Sequence, residues 1–230
     1  MSLFSMIKMH QLTVARVENP SGDCYAIYFN KPDDLDWQAG AYAYFLLPQI
    51  KEKSQHARYL NLASLPEEKE FVVLVHSNQS SSRFKQTLTS LASGETIQMK
   101  WLVSPITLKN EQALICFASD LGIAALRPVI KKWAGKREIY LSHLDQKGDV
   151  DLFDEELSQT SQAVTNLTYE RFEQLRDCQE NFTKVISQYK NEATYILAGI
   201  PSEIKEIKRL LQEQKISLKN IKIESFKGLK

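Results

Sequence analysis

Hydrophobic and polar residues alternate with a period of two through the first half of the chain, then gather into longer apolar runs through the second. Leu12-Thr13-Val14-Ala15-Arg16-Val17 and Cys24-Tyr25-Ala26-Ile27-Tyr28-Phe29 have the alternation and the β-branched and aromatic content of half-buried strands. Asn19-Pro20-Ser21-Gly22-Asp23 between them is a run of turn formers. The same pattern predicts strands over 42–47, 59–63, 71–75 and 96–103. One amphipathic helix is expected over 82–91, through Phe84, Leu88 and Leu91, with Gly94 as its stop. Six short strands with a single helix predict a small antiparallel β-barrel over 1–107.

From residue 108 to 230 the pattern changes to strand and helix in alternation. Strands are expected over 113–117, 138–141, 163–169 and 195–198, the last ending at Gly199, with a final strand over 221–226. Helices are expected over 121–133, 152–157, 182–189 and 201–214, where Pro201 suits a first turn. This alternation specifies a parallel sheet covered on both faces. The fold class is therefore a two-domain one, a β-barrel followed by an α/β domain, with no internal repeat and no long linker.

Composition narrows the function. The 230 residues are 43% hydrophobic and 25% charged, enough for packed cores, and the net charge of +1 offers no clustered basic face for nucleic acid. Lys205, Lys208, Lys215, Lys219, Lys222, Lys227 and Lys230 interleave with Glu203, Glu206, Glu213 and Glu224, the pattern of a solvated face. Cys24, Cys116 and Cys178 are far apart and form no Cys-x-x-Cys pair, which argues against a zinc site or an iron–sulfur cluster on this chain. Residues 1–12 lack a signal-peptide pattern, and no apolar run approaches a membrane span, so a cytoplasmic protein is expected. His10, His56, His76 and His143 have no ligand spacing, and no Gly-x-Ser-x-Gly elbow or Walker loop is present.

One constellation carries chemistry. Arg58-Tyr59-Leu60-Asn61-Leu62-Ala63-Ser64 lies between Trp37-Gln38-Ala39-Gly40-Ala41-Tyr42 and the strand Phe71 to His76, which leads into Ser80-Ser81-Ser82-Arg83-Phe84-Lys85. An arginine on a strand and a hydroxyl-rich turn opening a helix can supply a guanidinium fork and backbone N–H groups to one anion. This order resembles the flavin-binding barrel of the ferredoxin–NADP reductase family, whose pattern there is Arg-x-aromatic-Ser-x-Ala-Ser. Arg58, Ala63 and Ser64 match, while Leu60 replaces the aromatic and Asn61 the hydroxyl. The resemblance runs from Gly40 to Phe226 and is closest to the short NAD(P)H:flavin oxidoreductases.

The resemblance implies roles residue by residue. Arg58 would grip the flavin phosphate, an ion pair with an acid such as Glu67 being the other expectation for it. Leu60 stands at the isoalloxazine, with Tyr59 pointing the other way, and the Asn61 amide donates toward flavin N5. His76, Ser82, Arg83, Phe84 and Lys85 complete the flavin side. On the dinucleotide side, the family's Ala-Gly-Gly-Thr-Gly-Ile-x-Pro appears as Ala118-Ser119-Asp120-Leu121-Gly122-Ile123-Ala124-Ala125. Its Cys-Gly-Pro appears as Ala198-Gly199-Ile200, followed by Pro201. Asp120 brings a carboxylate to a phosphate loop; a helix N-cap is its alternative reading. The family's terminal Glu-x-Phe is matched by Glu224-Ser225-Phe226.

The implied activity is a flavin-dependent oxidoreductase with Asn61 and Glu224 as catalytic residues. FAD or FMN is the cofactor and NADH or NADPH the co-substrate, NADH being favoured because no arginine follows Tyr140. Electrons would pass to a free flavin, a flavodoxin or ferredoxin, or a partner oxygenase. The alternative is a non-catalytic relative serving as an interaction or regulatory subunit, supported by Trp101 and Ser104 where the family has glycines.

Overall fold

The computed structural model describes residues 8–108, 111–148 and 150–225, and the chain divides into two compact units, Met1–Thr107 and Leu108–Lys230. The first unit contains β1 (His10–Ser21), β2 (Cys24–Asn30), β3 (Tyr42–Leu46), β4 (Ala57–Asn61), β5 (Glu70–His76), α1 (Arg83–Thr89) and β6 (Thr96–Val103). The strands form one antiparallel sheet in the order β4-β3-β6-β1-β2-β5. Beyond β4, the Ala63 N–H donates to the Val72 carbonyl at 2.8 Å, and the Val72 N–H donates to the Ser64 hydroxyl oxygen at 3.1 Å. These bonds bring the segment after β4 onto β5, so the two ends of the sheet approach each other.

Alternation supplies the core of this unit: Leu12 and Val14, Ala43 and Phe45, Ile97 and Met99 all point inward. Phe29 stacks on Phe71 with ring centroids 5.3 Å apart, and Trp37 meets Phe71 edge-on at 5.7 Å. The Trp37 indole N–H donates to the Ser64 carbonyl at 2.9 Å, which satisfies its polar atom inside the core. The turn is shorter than the sequence predicts. β1 runs through Ser21, and only Gly22 and Asp23 reverse the chain, with Gly22 at φ +52°. α1 also stops early, at Ser90 rather than Gly94, because the Ser90 hydroxyl and N–H both turn back to the Thr87 carbonyl.

The second unit contains β7 (Ala113–Ser119), a 3₁₀ turn (Asp120–Gly122), α2 (Ile123–Trp133), β8 (Ile139–Leu144), α3 (Asp154–Ala163), β9 (Leu167–Phe172), α4 (Leu175–Tyr189), β10 (Ala193–Gly199), α5 (Pro201–Glu213) and β11 (Ile221–Ser225). Its five strands are all parallel, in the order β11-β10-β7-β8-β9. β7 and β10 are buried along almost their whole length, as central parallel strands must be. Phe226, the last residue of the expected final strand, lies outside the described residues.

Several boundaries differ from the sequence reading. α4 begins at Leu175, seven residues before the expected 182, because Cys178 joins Phe182, Val185 and Ile186 on one buried face. α3 covers Asp154–Ala163 instead of 152–157, and its first turn of Asp154, Glu155 and Glu156 complements the helix dipole. β9 starts at Leu167 and not 163, since the Val164 N–H still closes α3 on the Thr160 carbonyl.

The strand order places a topological switch between β7 and β10. The chain leaves β7 toward β8 on one side and reaches β10 on the other, so the two following helices diverge from that point. In open α/β sheets, ligands bind at the carboxyl ends of strands at such a switch.

Candidate functional site

In the first unit, strand alternation divides the Arg58–Asn61 segment between two faces. β4 pairs with β3 so that Arg58 stands opposite Phe45, Leu60 opposite Ala43, Tyr59 opposite Tyr44 and Asn61 opposite Tyr42. Arg58 and Leu60 therefore share the face that closes on α1. The Arg58 guanidinium lies 5.9 Å from the Phe84 ring centroid, and Leu60 packs against the core. Arg58 donates to the carbonyls of Ala57 at 2.8 Å and Ser54 at 3.2 Å. Among the described residues no carboxylate, Glu67 included, reaches it, so its charge is not neutralised by an ion pair.

Tyr59 faces outward and is 54% exposed. Its ring meets Tyr44 at 4.8 Å and Tyr42 at 5.6 Å, and Trp101 continues the row on Tyr44 at 5.0 Å. Asn61 shares this side of the strand but is buried, and its Nδ2 donor has no hydrogen-bond partner. The structure thus brings Arg58 and Leu60 together near α1 and sets Tyr59 and Asn61 apart from them.

The serine-rich turn also departs from a simple helix cap. Asn78 organises it: the Ser80 N–H and hydroxyl both donate to Asn78 Oδ1, at 3.0 and 2.7 Å. Ser82 occupies the N-cap position of α1, yet its hydroxyl caps nothing and its Oγ is buried without a partner. Arg83 is held in an ion pair with Glu52 at 2.9 Å, and Phe84 is a fully buried core residue. Lys85 is partly buried on the next position of the helix. His76 ends β5, nearly buried, opposite Cys24. A polar depression of about 530 Å³ opens beside this turn, lined by Tyr25, Ser77, Asn78, Gln79, Gln86 and Thr89.

In the second unit, the residues expected at the dinucleotide loop converge at the carboxyl ends of β7 and β10. Gly122 packs against the Ala198 backbone so closely that a Cβ on it would stand 2.1 Å from the Ala198 carbonyl oxygen. Gly199 adopts φ +137°, and its Cβ would meet Ser119 Oγ at 2.2 Å. Both glycines are thus required by the crossing of the two loops. The Ser119 hydroxyl oxygen accepts the Ile200 N–H at 2.9 Å and ties the crossing together. Asp120 lies at the expected loop but does not take the helix N-cap position that is its alternative reading. It is nearly buried in the left-handed region at φ +53° and is the first residue of the 3₁₀ turn, with Ser119 in the N-cap position and no side chain capping. His143 Nε2 donates to the Asp120 carbonyl at 3.3 Å and supports that conformation.

Glu203 is the residue that sequence reasoning missed. It belongs by pattern to the solvated Lys/Glu face of α5, but it is only 7% exposed. One carboxylate oxygen accepts from the Gln146 side chain, while Oε2 has no hydrogen-bond partner. Burial raises the Glu203 carboxyl above the usual carboxylate range, and nearby Asp120 adds to the rise against the Ser119 and Gln146 hydrogen bonds. The available signal was its place two residues after Pro201, at the first turn of a helix that begins on a topological switch. Glu224 lies on β11 opposite Ala198, and burial pushes its carboxyl up to about 7.

A six-stranded antiparallel sheet with one short helix, followed by a five-stranded parallel sheet with its switch at β7 and β10, is the fold of the ferredoxin–NADP reductases. Among solved structures the chain is similar to the cytochrome P450 reductase of Amycolatopsis, with a TM-score of 0.81 and 16% identity, covering 96% of this chain and 71% of that one. It is similar to a ferredoxin NADP+ reductase from Neisseria gonorrhoeae with bound FAD and NADP, with a TM-score of 0.80 and 12% identity, over 95% of this chain and 98% of that one. The Plasmodium falciparum ferredoxin–NADP+ reductase gives a TM-score of 0.78 and 14% identity, over 94% and 95%. At these identities the likeness is one of fold. No family model and no curated protein matches the sequence. Among the described residues, no helix is long and apolar enough to cross a membrane.

Proposed function

We propose that this chain is a flavin-dependent oxidoreductase that takes reducing equivalents from NAD(P)H and passes electrons to an acceptor. The observation that carries this reading is a guanidinium in the first unit without a counter-charge, together with two buried polar atoms without a partner. Arg58 keeps an unneutralised guanidinium beside α1, and the buried Ser82 Oγ and Asn61 Nδ2 have no partner. Unsatisfied buried polar atoms are costly, and a ligand that supplies acceptors relieves that cost.

A flavin nucleotide fits this donor set. Arg58 suits a phosphate, with Ser82 as a second donor near it, and Asn61 suits a ring nitrogen or carbonyl. The chemistry supplied by a flavin, when bound, is hydride acceptance from NAD(P)H and onward electron transfer. Arg58 would orient the phosphate end, Leu60 would offer an apolar contact, and Asn61 would donate a hydrogen bond through its amide N–H without itself titrating. In the second unit, the β7 and β10 loops would hold the dinucleotide, and Glu224 can hold or release a proton near neutrality. FAD or FMN and NADH or NADPH all fit at this level.

The experiment is to mix the purified chain with FAD or FMN, remove free flavin, and record the visible spectrum and NADH and NADPH oxidation. A retained flavin spectrum with nicotinamide oxidation is expected. A colourless protein with no oxidation overturns the reading in favour of an interaction or regulatory subunit. One observation favours that second reading: the carboxylates of Asp120 and Glu203 stand at the dinucleotide loops.

A further inference from the structure

We propose that the outer face of β3, β4 and β6 docks an extended, proline-rich, acidic segment of a partner protein. The site belongs to the first unit alone and does not depend on the flavin reading.

An irregularity in β6 builds it. β3 and β6 pair as Tyr44 with Lys100 and Tyr42 with Val103, so two steps along β3 face three along β6. The extra residue makes a β-bulge, a device that re-aims a side chain. Ile97 and Met99 are buried and Lys100 faces outward, so regular alternation would bury Trp101 as well. Trp101 instead takes φ +51° and stands 39% exposed, with the Lys100 ammonium 4.0 Å from its ring centroid. A left-handed backbone is an outlier for a bulky residue. Here it turns outward a ring that folding would readily bury.

The neighbouring strands complete the surface. Tyr59 stands directly opposite Tyr44, with ring centroids 4.8 Å apart and planes at 53°. Tyr44 meets Trp101 at 5.0 Å and 38°, and Tyr42 meets Tyr59 edge-on at 5.6 Å and 85°. Rings tilted in this way leave slots between them in place of one flat platform, which suits pyrrolidine rings better than stacked bases. The two steps from Tyr59 to Trp101 cover about 10 Å, close to the ~9 Å that one turn of a polyproline II helix advances. Aromatic-lined surfaces are a recurrent seat for such segments.

Polar chemistry selects the same ligand. Among the described residues, the Tyr44 and Tyr59 hydroxyls and the Trp101 indole N–H make no hydrogen bond. They offer donors, and a polyproline II backbone presents carbonyl acceptors that no internal hydrogen bond occupies. Lys100 also lies 5.8 Å from the Tyr44 ring, and no carboxylate pairs with it among the described residues. β3, β4 and β6 carry no aspartate or glutamate. The face therefore holds a positive charge without a counter-charge, which an acidic side chain on the ligand complements. One lysine is too little for a nucleic-acid backbone, where several phosphates need neutralising.

The test is calorimetric titration of the full chain with an acetylated peptide of repeated Pro-Pro-Glu units, against a control of repeated Gly-Ser-Glu units. The prolyl peptide should bind, and the control, with the same charge, should bind at least about tenfold more weakly. Trp101→Gly suits the left-handed backbone and removes the ring, and it should weaken binding about tenfold, the scale of an aromatic hot spot. Tyr59→Ser, at an exposed position, should weaken it about fivefold or more. Lys100→Gln should cost about two- to fivefold, as for one exposed ion pair. No binding of the prolyl peptide overturns the proposal, as does equal affinity for the control or unchanged binding in both Trp101→Gly and Tyr59→Ser. Sedimentation showing self-association of the native chain that Trp101→Gly abolishes, with no peptide bound, also overturns it and assigns the face to a second copy.

Discussion

Gly199 and Ser119 approach each other so closely that a single added carbon on Gly199 would lie 2.2 Å from the Ser119 hydroxyl and 2.3 Å from its carbonyl oxygen. The second contact is with backbone, which cannot rotate away. Gly199→Ala is therefore expected to destabilise the second unit by about 3 kcal/mol or more, combining backbone overlap with a disallowed φ. Gly122→Ala should behave similarly against the Ala198 carbonyl. By contrast, Gly94→Ala meets open space at φ +88° and should cost about 1 kcal/mol. Chemical denaturation of the three variants checks the order, and equal losses would mean the loop crossing is looser than described.

Lys215 offers the opposite experiment. It follows the end of α5 at φ +58°, in the position where helices commonly place glycine. Its N–H already donates to the Gln212 carbonyl at 2.9 Å, a bond that glycine retains. Lys215→Gly is expected to stabilise the chain by roughly 0.5–1 kcal/mol, since relief of the left-handed strain outweighs the added chain entropy. A lower melting temperature in the variant would count against this.

For the proposed flavin site, Arg58→Ala should weaken flavin affinity by ~1.5–3 kcal/mol, the scale of a charge-assisted hydrogen bond. Leu60→Ala, on the same face of β4, should weaken it less. Tyr59→Ser changes only the outward aromatic row and should leave affinity unchanged. Calorimetry with FAD decides, and a Tyr59 effect larger than that of Arg58 would mean that Arg58 does not hold the phosphate.

Stability should depend on pH through Glu224. Its carboxyl sits at about 7 in the folded chain, against an ordinary value of 4.5. Below the lower value both states are protonated and the group contributes nothing. Between the two values the unfolded chain releases the proton while the folded chain keeps it, so stability falls as pH rises and levels off above about 7. Glu224 is only half-buried, which reduces the expected loss to about 1–2 kcal/mol. Denaturation of Glu224→Gln from pH 4 to 8 should lack this decline; an identical profile would assign it to other groups.

The sequence carried the architecture further than the site. β6 has the bounds its alternation predicts, and β7 and β10 were legible as apolar runs because both their faces are covered. α4 was half hidden because Arg176, Asp177, Gln179 and Glu180 surround the one buried residue of its first turns, Cys178. Glu203 was unreadable for a related reason. Helical spacing places it among lysines and glutamates, and only the tertiary approach of Gln146 and the β7 loop turns that position inward. Likewise, one sequence motif joined Arg58 and Asn61, whereas the pleat of β4 separates them.

The three cysteines have a use that follows from where they lie. Cys24 is enclosed in the first unit, Cys116 and Cys178 in the second, all with no measurable solvent contact. Burial pushes the thiols of Cys116 and Cys178 up to about 12, so a neutral-pH alkylating reagent finds no thiolate until the surrounding structure opens. Labelling kinetics followed by mass spectrometry then time the opening of each unit separately, with one clock in the antiparallel sheet, one in the parallel sheet and one on α4. Adding flavin should slow the Cys24 clock, and adding ADP-ribose should slow the other two.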